Sequence, residues 1–326
     1  MHNRILGKSG LSVSEIGLGC WQFGGDFGAI EDERALATLK AASEAGVTFF
    51  DTADVYGGGR SETLVGRYAA EAGTRPIVAT KVGRSAELYP DGYRYEAIRD
   101  HLRASAERLG VDRLDLIQLH CVPTAVLRDG AAFDTMNRLQ SEGLCRHWGA
   151  SVETIEEAEI CLAQENLASL QMIFNVFRQD AAWSLFAKAE AADVGIIVRL
   201  PLASGLLTGK FTAETTFEPT DHRNYNRDGQ AFSVGETFSG IVFSTGVALA
   251  DGLRPFVPEG WSLADFSLRW ILDHPAVSTV IAGCSRPAQV EANARASALP
   301  PLPDDVHAAL RDYYLEKVRP AVRCPI

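Results

Sequence analysis

No apolar run in the 326-residue sequence reaches the ~18 residues of a membrane span, and Met1-His2-Asn3-Arg4 is followed by no signal-type apolar core. A cytoplasmic protein without a membrane partner is therefore expected. Positive charge is in deficit, with a formal net charge of -11, which argues against nucleic acid or an anionic surface as partner. The six cysteines (Cys20, Cys121, Cys145, Cys161, Cys284, Cys324) include no C-x-x-C pair and follow no fixed spacing. Neither a metal site nor a disulfide framework is indicated, and buried free thiols are expected. No composition break, low-complexity run or linker marks a second domain, so residues 1–326 are read as one domain. The dinucleotide-binding signature G-x-G-x-x-G is also missing. Gly17-Leu18-Gly19-Cys20-Trp21-Gln22 lacks the third glycine, which weighs against a doubly wound sheet.

What is present is an alternation. An opening segment reads as a hairpin turning at Lys8-Ser9-Gly10. Eight strand-like runs follow: Ile16 to Gly19, Val47 to Phe50, Pro76 to Thr80, Leu114 to Leu119, Cys145 to Ala150, Leu170 to Phe174, Gly195 to Leu200 and Val277 to Ala282. Between them lie helical patterns such as YEAIRDHLRASAERLG and AAWSLFAKAEAADVG, several closing on a glycine. Strand followed by helix, repeated, means parallel strands with crossover helices, and eight repeats predict a closed (β/α)8 TIM barrel with an N-terminal hairpin. After the seventh barrel strand comes an irregular stretch, roughly Thr212 to Phe238, too long for a simple connection. It is expected to be a lid or binding loop, with His222, Arg223, Asn224 and Tyr225 able to meet a hydroxylated substrate.

The carboxyl ends of barrel strands are where such enzymes keep their chemistry. Reading those positions gives Asp51, Lys81, His120, Ser151 and Asn175. In VTFFDTADVYGGGRSE the apolar run ends on Asp51, a carboxylate that burial would make costly without a cation, and Lys81 at the end of the next strand supplies one. Tyr56 follows five residues after Asp51. An unperturbed phenol, with a pKa of ~10, is a weak acid for protonating an alkoxide, and a nearby ammonium would lower that pKa. Asp51 would hold Lys81, Lys81 would tune Tyr56 as general acid, and His120 would donate a hydrogen bond to a carbonyl oxygen. Gly57-Gly58-Gly59 fits a tight turn that frees Tyr56 from its backbone surroundings.

These motifs, with ILGKSGLSVSEIGLGCW near the start, PLASGLLTGKF, and GCSRPAQVEANARA near the end, resemble the aldo-keto reductases over nearly the whole chain. The resemblance implies a catalytic tetrad of Asp51, Tyr56, Lys81 and His120, a nicotinamide cofactor, and a small carbonyl or sugar substrate. It assigns Ser151 and Gln171 to the nicotinamide carboxamide, with Asn175 as a further candidate. Leu202, Ser204, Gly205, Leu207 and Lys210 are assigned to the pyrophosphate, and Gly283, Ser285, Arg286, Gln289 and Asn293 to a phosphate at a helix start. Arg286 stands where the resemblance places a 2′-phosphate, so NADPH is the expected cofactor (NADP when oxidised), with NAD as the alternative. Trp21 is expected at the substrate mouth. Reduction of aldehydes or ketones is the leading expectation. The alternatives are oxidation of a sugar at C1 and a cofactor-binding regulatory subunit without turnover.

Two positions depart from the pattern. Arg199 stands where many family members carry an aromatic that stacks on the nicotinamide, and Phe174-Asn175 replaces a Tyr-Asn pair. A guanidinium can stack on a ring, and its charge would disfavour the oxidised, cationic ring unless a carboxylate neutralises it.

Overall fold

The computed structural model describes residues 1–73 and 75–326. Strands β1 (Asn3–Ile5) and β2 (Ser12–Ser14) pair antiparallel as the expected hairpin, with Gly10 at φ 68° in its turn. The barrel strands are β3 (Ile16–Gly19), β4 (Phe49–Asp51), β5 (Ile77–Val82), β6 (Leu114–His120), β7 (Cys145–Ser151), β8 (Leu167–Ile173), β9 (Gly195–Arg199) and β10 (Val277–Gly283). All pair parallel, and β10 closes on β3. The eight runs expected from sequence are these eight strands. Helices α1 (Asp32–Glu44), α2 (Arg60–Glu71), α3 (Tyr95–Leu109), α4 (Thr124–Asp129), α5 (Ala131–Ser141) and α6 (Ile155–Leu162) surround the first half. Helices α7 (Ala181–Ser184), α8 (Phe186–Ala191), α9 (His222–Tyr225), α10 (Phe243–Gly252), α11 (Leu263–Leu272), α12 (Pro287–Ala294) and α13 (Asp304–Tyr313) follow. None of the described helices is long and apolar enough to cross a membrane.

Two expectations need correction. The pattern AAWSLFAKAEAADVG predicts one helix, but the chain breaks between α7 and α8, where Leu185 leaves helical geometry at φ -125°. The stretch from Thr212 to Phe238 is not irregular throughout, since it contains α9 and a short 3-10 turn at Val234–Glu236. Asn226 organises the turn between them, accepting hydrogen bonds from the amides of Ala231 and Phe232 (2.9 Å each) and donating to Thr237 at 3.0 Å.

The pleat positions the site. Because successive strand residues face opposite sides, Phe49 and Asp51 point into the barrel while Phe50 packs outward with the helices. A lower interior layer is apolar: Phe49, Ala79, Leu116, Ile197 and Ile281, closed at the floor by Leu6 and Val13 from the hairpin. One pleat further toward the carboxyl ends the same alternation delivers Asp51, Lys81, Gln118, Gln171 and Arg199. The fold thus stacks a polar layer on an apolar one, and the polar layer is where chemistry is available.

Candidate active site

Lys81 is the centre of that layer, and it is 1% exposed. Its ammonium donates to an Asp51 carboxylate oxygen, to the Thr52 carbonyl at 2.8 Å and to the Tyr56 hydroxyl at 3.2 Å, so each of its three protons has an acceptor. The other Asp51 oxygen accepts from Gln171 at 2.7 Å and Gln118 at 3.2 Å. Gln118 was not singled out from sequence, although it lies two residues before His120 and therefore on the same inward face. The Tyr56 loop packs against Gly24, and Gly57 (φ 61°) has no room for a side chain: a Cβ there would lie 2.8 Å from the Gly24 carbonyl oxygen. Gly57 is therefore required by close approach as well as by backbone conformation, and Gly58 and Gly59 by their positive φ.

The electrostatics differ from the expectation in one respect. Burial pushes the Tyr56 phenol up to about 12, and the Lys81 ammonium beside it offsets only part of that rise. Tyr56 is thus fully protonated at neutral pH and its hydroxyl is a donor. Lys81 itself is held above its ordinary value, because Asp51 and Tyr56 outweigh the burial that would pull it down. Burial, reinforced by Arg84, Lys81 and Arg199, pushes His120 well below the usual imidazole range, so it is neutral. Its Nδ1 is buried without a hydrogen-bond partner. The ring stands edge-on to Tyr56, with centroids 5.9 Å apart.

These residues border a cavity of about 420 Å³. Trp21 lines it, stacked on Tyr56 at 5.9 Å and held by a 2.9 Å hydrogen bond to Asp26. The long loop closes over the mouth. Phe232 lies 6.0 Å from Trp21, and His222, wholly buried, packs on Trp21 at 4.7 Å instead of meeting solvent. Arg223 is paired with Asp221, and Tyr225 donates to Asp26 at 2.8 Å, so these polar loop residues hold the loop in place. Trp148, packed on Phe133 and bonded to Asn137, is away from the cavity.

The candidate cofactor residues divide into two sets. Ser151, Gln171, Arg199 and Gly283 line the cavity. At Gly283 the side chain of Gln22 lies where a Cβ would be, so the Gln22 amide packs on the bare strand end and borders the cavity with it. Asn175 is not brought there: its amide donates to the Leu200 carbonyl at 2.9 Å and to Ser239 at 3.1 Å, and its oxygen caps the Phe177 amide. Phe174 packs between Trp270 and Phe186, outside the barrel. Arg199, Leu200 and Pro201 reach the cavity, whereas Leu202, Ser204, Gly205, Leu207 and Lys210 form the turn beyond it. Ser204 there bridges the long loop, donating to the Glu236 carbonyl and accepting from the Phe238 amide, both at 3.2 Å. Ser285 and Gln289 bond each other, Asn293 turns inward onto Cys284 at 3.2 Å, and the Gln289 amide bonds back to the Arg286 carbonyl. The Arg286 side chain is exposed and makes no ion pair or hydrogen bond among the described residues. A polar-floored cavity, with an uncommitted arginine side chain at the start of the helix that follows its lining residue Gly283, fits an extended anionic cofactor.

Sequence reasoning missed the charged wall of the cavity. Arg84, after β5, donates to both oxygens of Glu236 (2.7 and 3.3 Å) and to Glu153 at 2.9 Å, while Arg199 lies 3.5 Å from Glu236. Against the burial that would raise it, Arg84 and Arg199 hold Glu236 well below the usual carboxylate range. Burial and the neighbouring Glu236 push Glu153 up. The carboxylate that would neutralise Arg199 is therefore present, supplied from 37 residues further along the chain by the long loop.

A closed parallel barrel carrying a buried lysine, carboxylate, phenol and neutral imidazole at its carboxyl end defines a barrel oxidoreductase. The chain belongs to the Aldo/keto reductase family, whose profile matches residues 15–314. It is 31% identical to the aldo-keto reductase YhdN of Bacillus subtilis, covering 90% of this chain and 87% of that one. It is 30% identical to a probable voltage-gated potassium channel subunit beta of rice, covering 93% of each. Among solved structures it resembles a glycerol dehydrogenase of Gluconobacter oxydans (TM-score 0.79, 29% identity, covering 97% of this chain and 95% of that one).

Proposed function

We propose that the protein is an NADPH-dependent reductase of aldehydes or ketones with Tyr56 as general acid. The observation that carries this reading is the three-way commitment of Lys81 to Asp51, Thr52 and Tyr56 at the cavity floor. The bound nicotinamide supplies the hydride. His120, neutral, orients the substrate oxygen by donating one ring hydrogen. Tyr56, kept protonated by burial, gives its proton to the oxygen as charge develops there, and the phenolate left behind faces the Lys81 ammonium at 3.2 Å. Asp51 does not take the proton; it fixes Lys81. In the oxidative direction the same groups act in reverse, and oxidation of a polyol or of a sugar at C1 is the alternative within this chemistry. The glycerol dehydrogenase similarity favours keeping that direction open.

Absorbance at the nicotinamide band, followed with a panel of aldehydes, ketones, aldoses and polyols, tests the reading. Turnover is expected with wild type, and Tyr56→Phe should lower it ~100-fold or more, the usual worth of a general acid, with cofactor affinity unchanged. Undiminished turnover in Tyr56→Phe would remove the acid assignment. The similarity to potassium channel beta subunits supports a second reading, a cofactor-binding regulatory subunit. Tight cofactor binding with no turnover across the whole panel would establish that one instead.

A further inference from the structure

The charged wall has equal numbers of each sign: Arg84 and Arg199 against Glu153 and Glu236. Its members come from three connections and the end of β9, and the long loop contributes Glu236, which is 3% exposed. Arg199 is held by Glu236 at 3.5 Å, by the Val152 carbonyl at 3.2 Å and by the Cys121 sulfur at 3.6 Å, and its Nε is buried with no partner. This guanidinium therefore has Glu236 as its one ionic partner among the described residues. The wall also acts on the tetrad: Glu236 adds to the upward push on Tyr56, and Arg199 to the downward push on His120. A ring placed to pass hydride to a carbonyl held by those two side chains lies within the same electrostatic reach. Between its two redox states that ring differs by one positive charge.

We infer that Glu236 sets the redox preference of the cofactor site, its carboxylate cancelling Arg199 so that the cavity accepts the oxidised, cationic nicotinamide as well as the reduced, neutral one. The inference rests on the oxidoreductase reading above. A balanced wall discriminates little between the two forms. Without Glu236 the wall carries an excess positive charge that repels the oxidised ring alone. Without Arg199 it carries an excess negative charge that attracts it. Opposite signs from two neighbouring substitutions separate an electrostatic role from a structural one, because loss of packing weakens both redox forms alike.

Dissociation constants for NADP+ and NADPH, measured by titration calorimetry at pH 8.5 so that Glu153 is also ionised, decide the matter on wild type, Glu236→Gln, Arg199→Met and the double variant. A unit charge a few ångströms away changes an interior equilibrium about tenfold or more. The ratio Kd(NADP+)/Kd(NADPH) is therefore expected to rise about tenfold in Glu236→Gln, fall about tenfold in Arg199→Met, and return close to the wild-type value in the double variant. Should Glu236→Gln fail to fold, Arg199→Met against the double variant isolates Glu236 equally well. A ratio unmoved by either substitution, or moved the same way by both, overturns the inference while the oxidoreductase reading stands. Failure of the wild type to bind either form removes that reading, and the inference with it.

Discussion

At the scale of single residues, Lys81 and Asp51 show how a buried ion pair is maintained. Both are almost fully enclosed, at 1% and 3% side-chain exposure, so their desolvation is large and only complete hydrogen bonding offsets it. That condition is met: the lysine uses three donors, and the carboxylate is completed by Gln171 and Gln118. Removing one partner strands the other. Lys81→Met should cost ~3–5 kcal/mol of stability in urea unfolding, the range for an uncompensated buried charge. The double variant Asp51→Asn, Lys81→Met should lose markedly less, because no net charge remains buried. Equal losses in the single and double variants would show that Lys81 contributes packing and not charge balance.

At the scale of elements, His101 joins α3 to the loop that carries Tyr56 and to the loop that follows the Lys81 strand. Its Nδ1 lies 3.0 Å from Asp54, two residues before Tyr56, and its Nε2 lies 3.2 Å from Ser85 and 3.5 Å from Glu87 in the loop after β5. The hydrogen bond to Asp54, set against partial burial, raises the imidazole above its ordinary value. A group whose folded pKa is raised stabilises fully below its unfolded value of ~6.5 and loses that contribution as pH rises through the folded pKa. The melting temperature of wild type should therefore exceed that of His101→Asn most at pH 6, and the gap should narrow by pH 9. A gap that widens with pH would mean that the neutral ring makes the important contacts.

The same scale explains what was legible in the sequence. Strands that end a buried apolar run on a polar residue expose their chemistry to a reader, which is why Asp51, Lys81, His120 and Ser151 stood out. Helix α11 was less legible, because nine of its ten residues are buried, the polar Asp265 and Arg269 among them, so its polar positions do not mark a solvent face, although Ser262 and Asp265 form a capping box at its start. The break at Leu185 carries no glycine or proline signal. The pairing of Arg84 with Glu236 spans 152 residues and leaves no local trace at all.

At the scale of the whole molecule, the proposed function requires a body of net charge -11 to bind a cofactor that is itself anionic. Screening settles much of this conflict, since at 0.15 M ionic strength the Debye length is ~8 Å and distant acids count for little. The nearest cation then dominates. Arg286 sits exposed at the start of α12, with Pro287 at the first helical position and no ionic partner among the described residues. Its planar, multiply donating head suits a 2′-phosphate better than a point charge would. Ser285, bonded to Gln289, would have to exchange that partner to help, so most of the discrimination falls on the arginine. Arg286→Ala should weaken NADPH by ~1.5–3 kcal/mol, the range for a hydrogen bond to a charged group, nearer the lower end for so exposed a side chain, and leave NADH almost unchanged. Raising the salt concentration should erode the proposed wild-type preference for NADPH and have little effect on any preference that remains in the variant. Equal weakening of both cofactors by Arg286→Ala would place the arginine on the pyrophosphate or in support of the fold, and the choice of NADPH would then need another source.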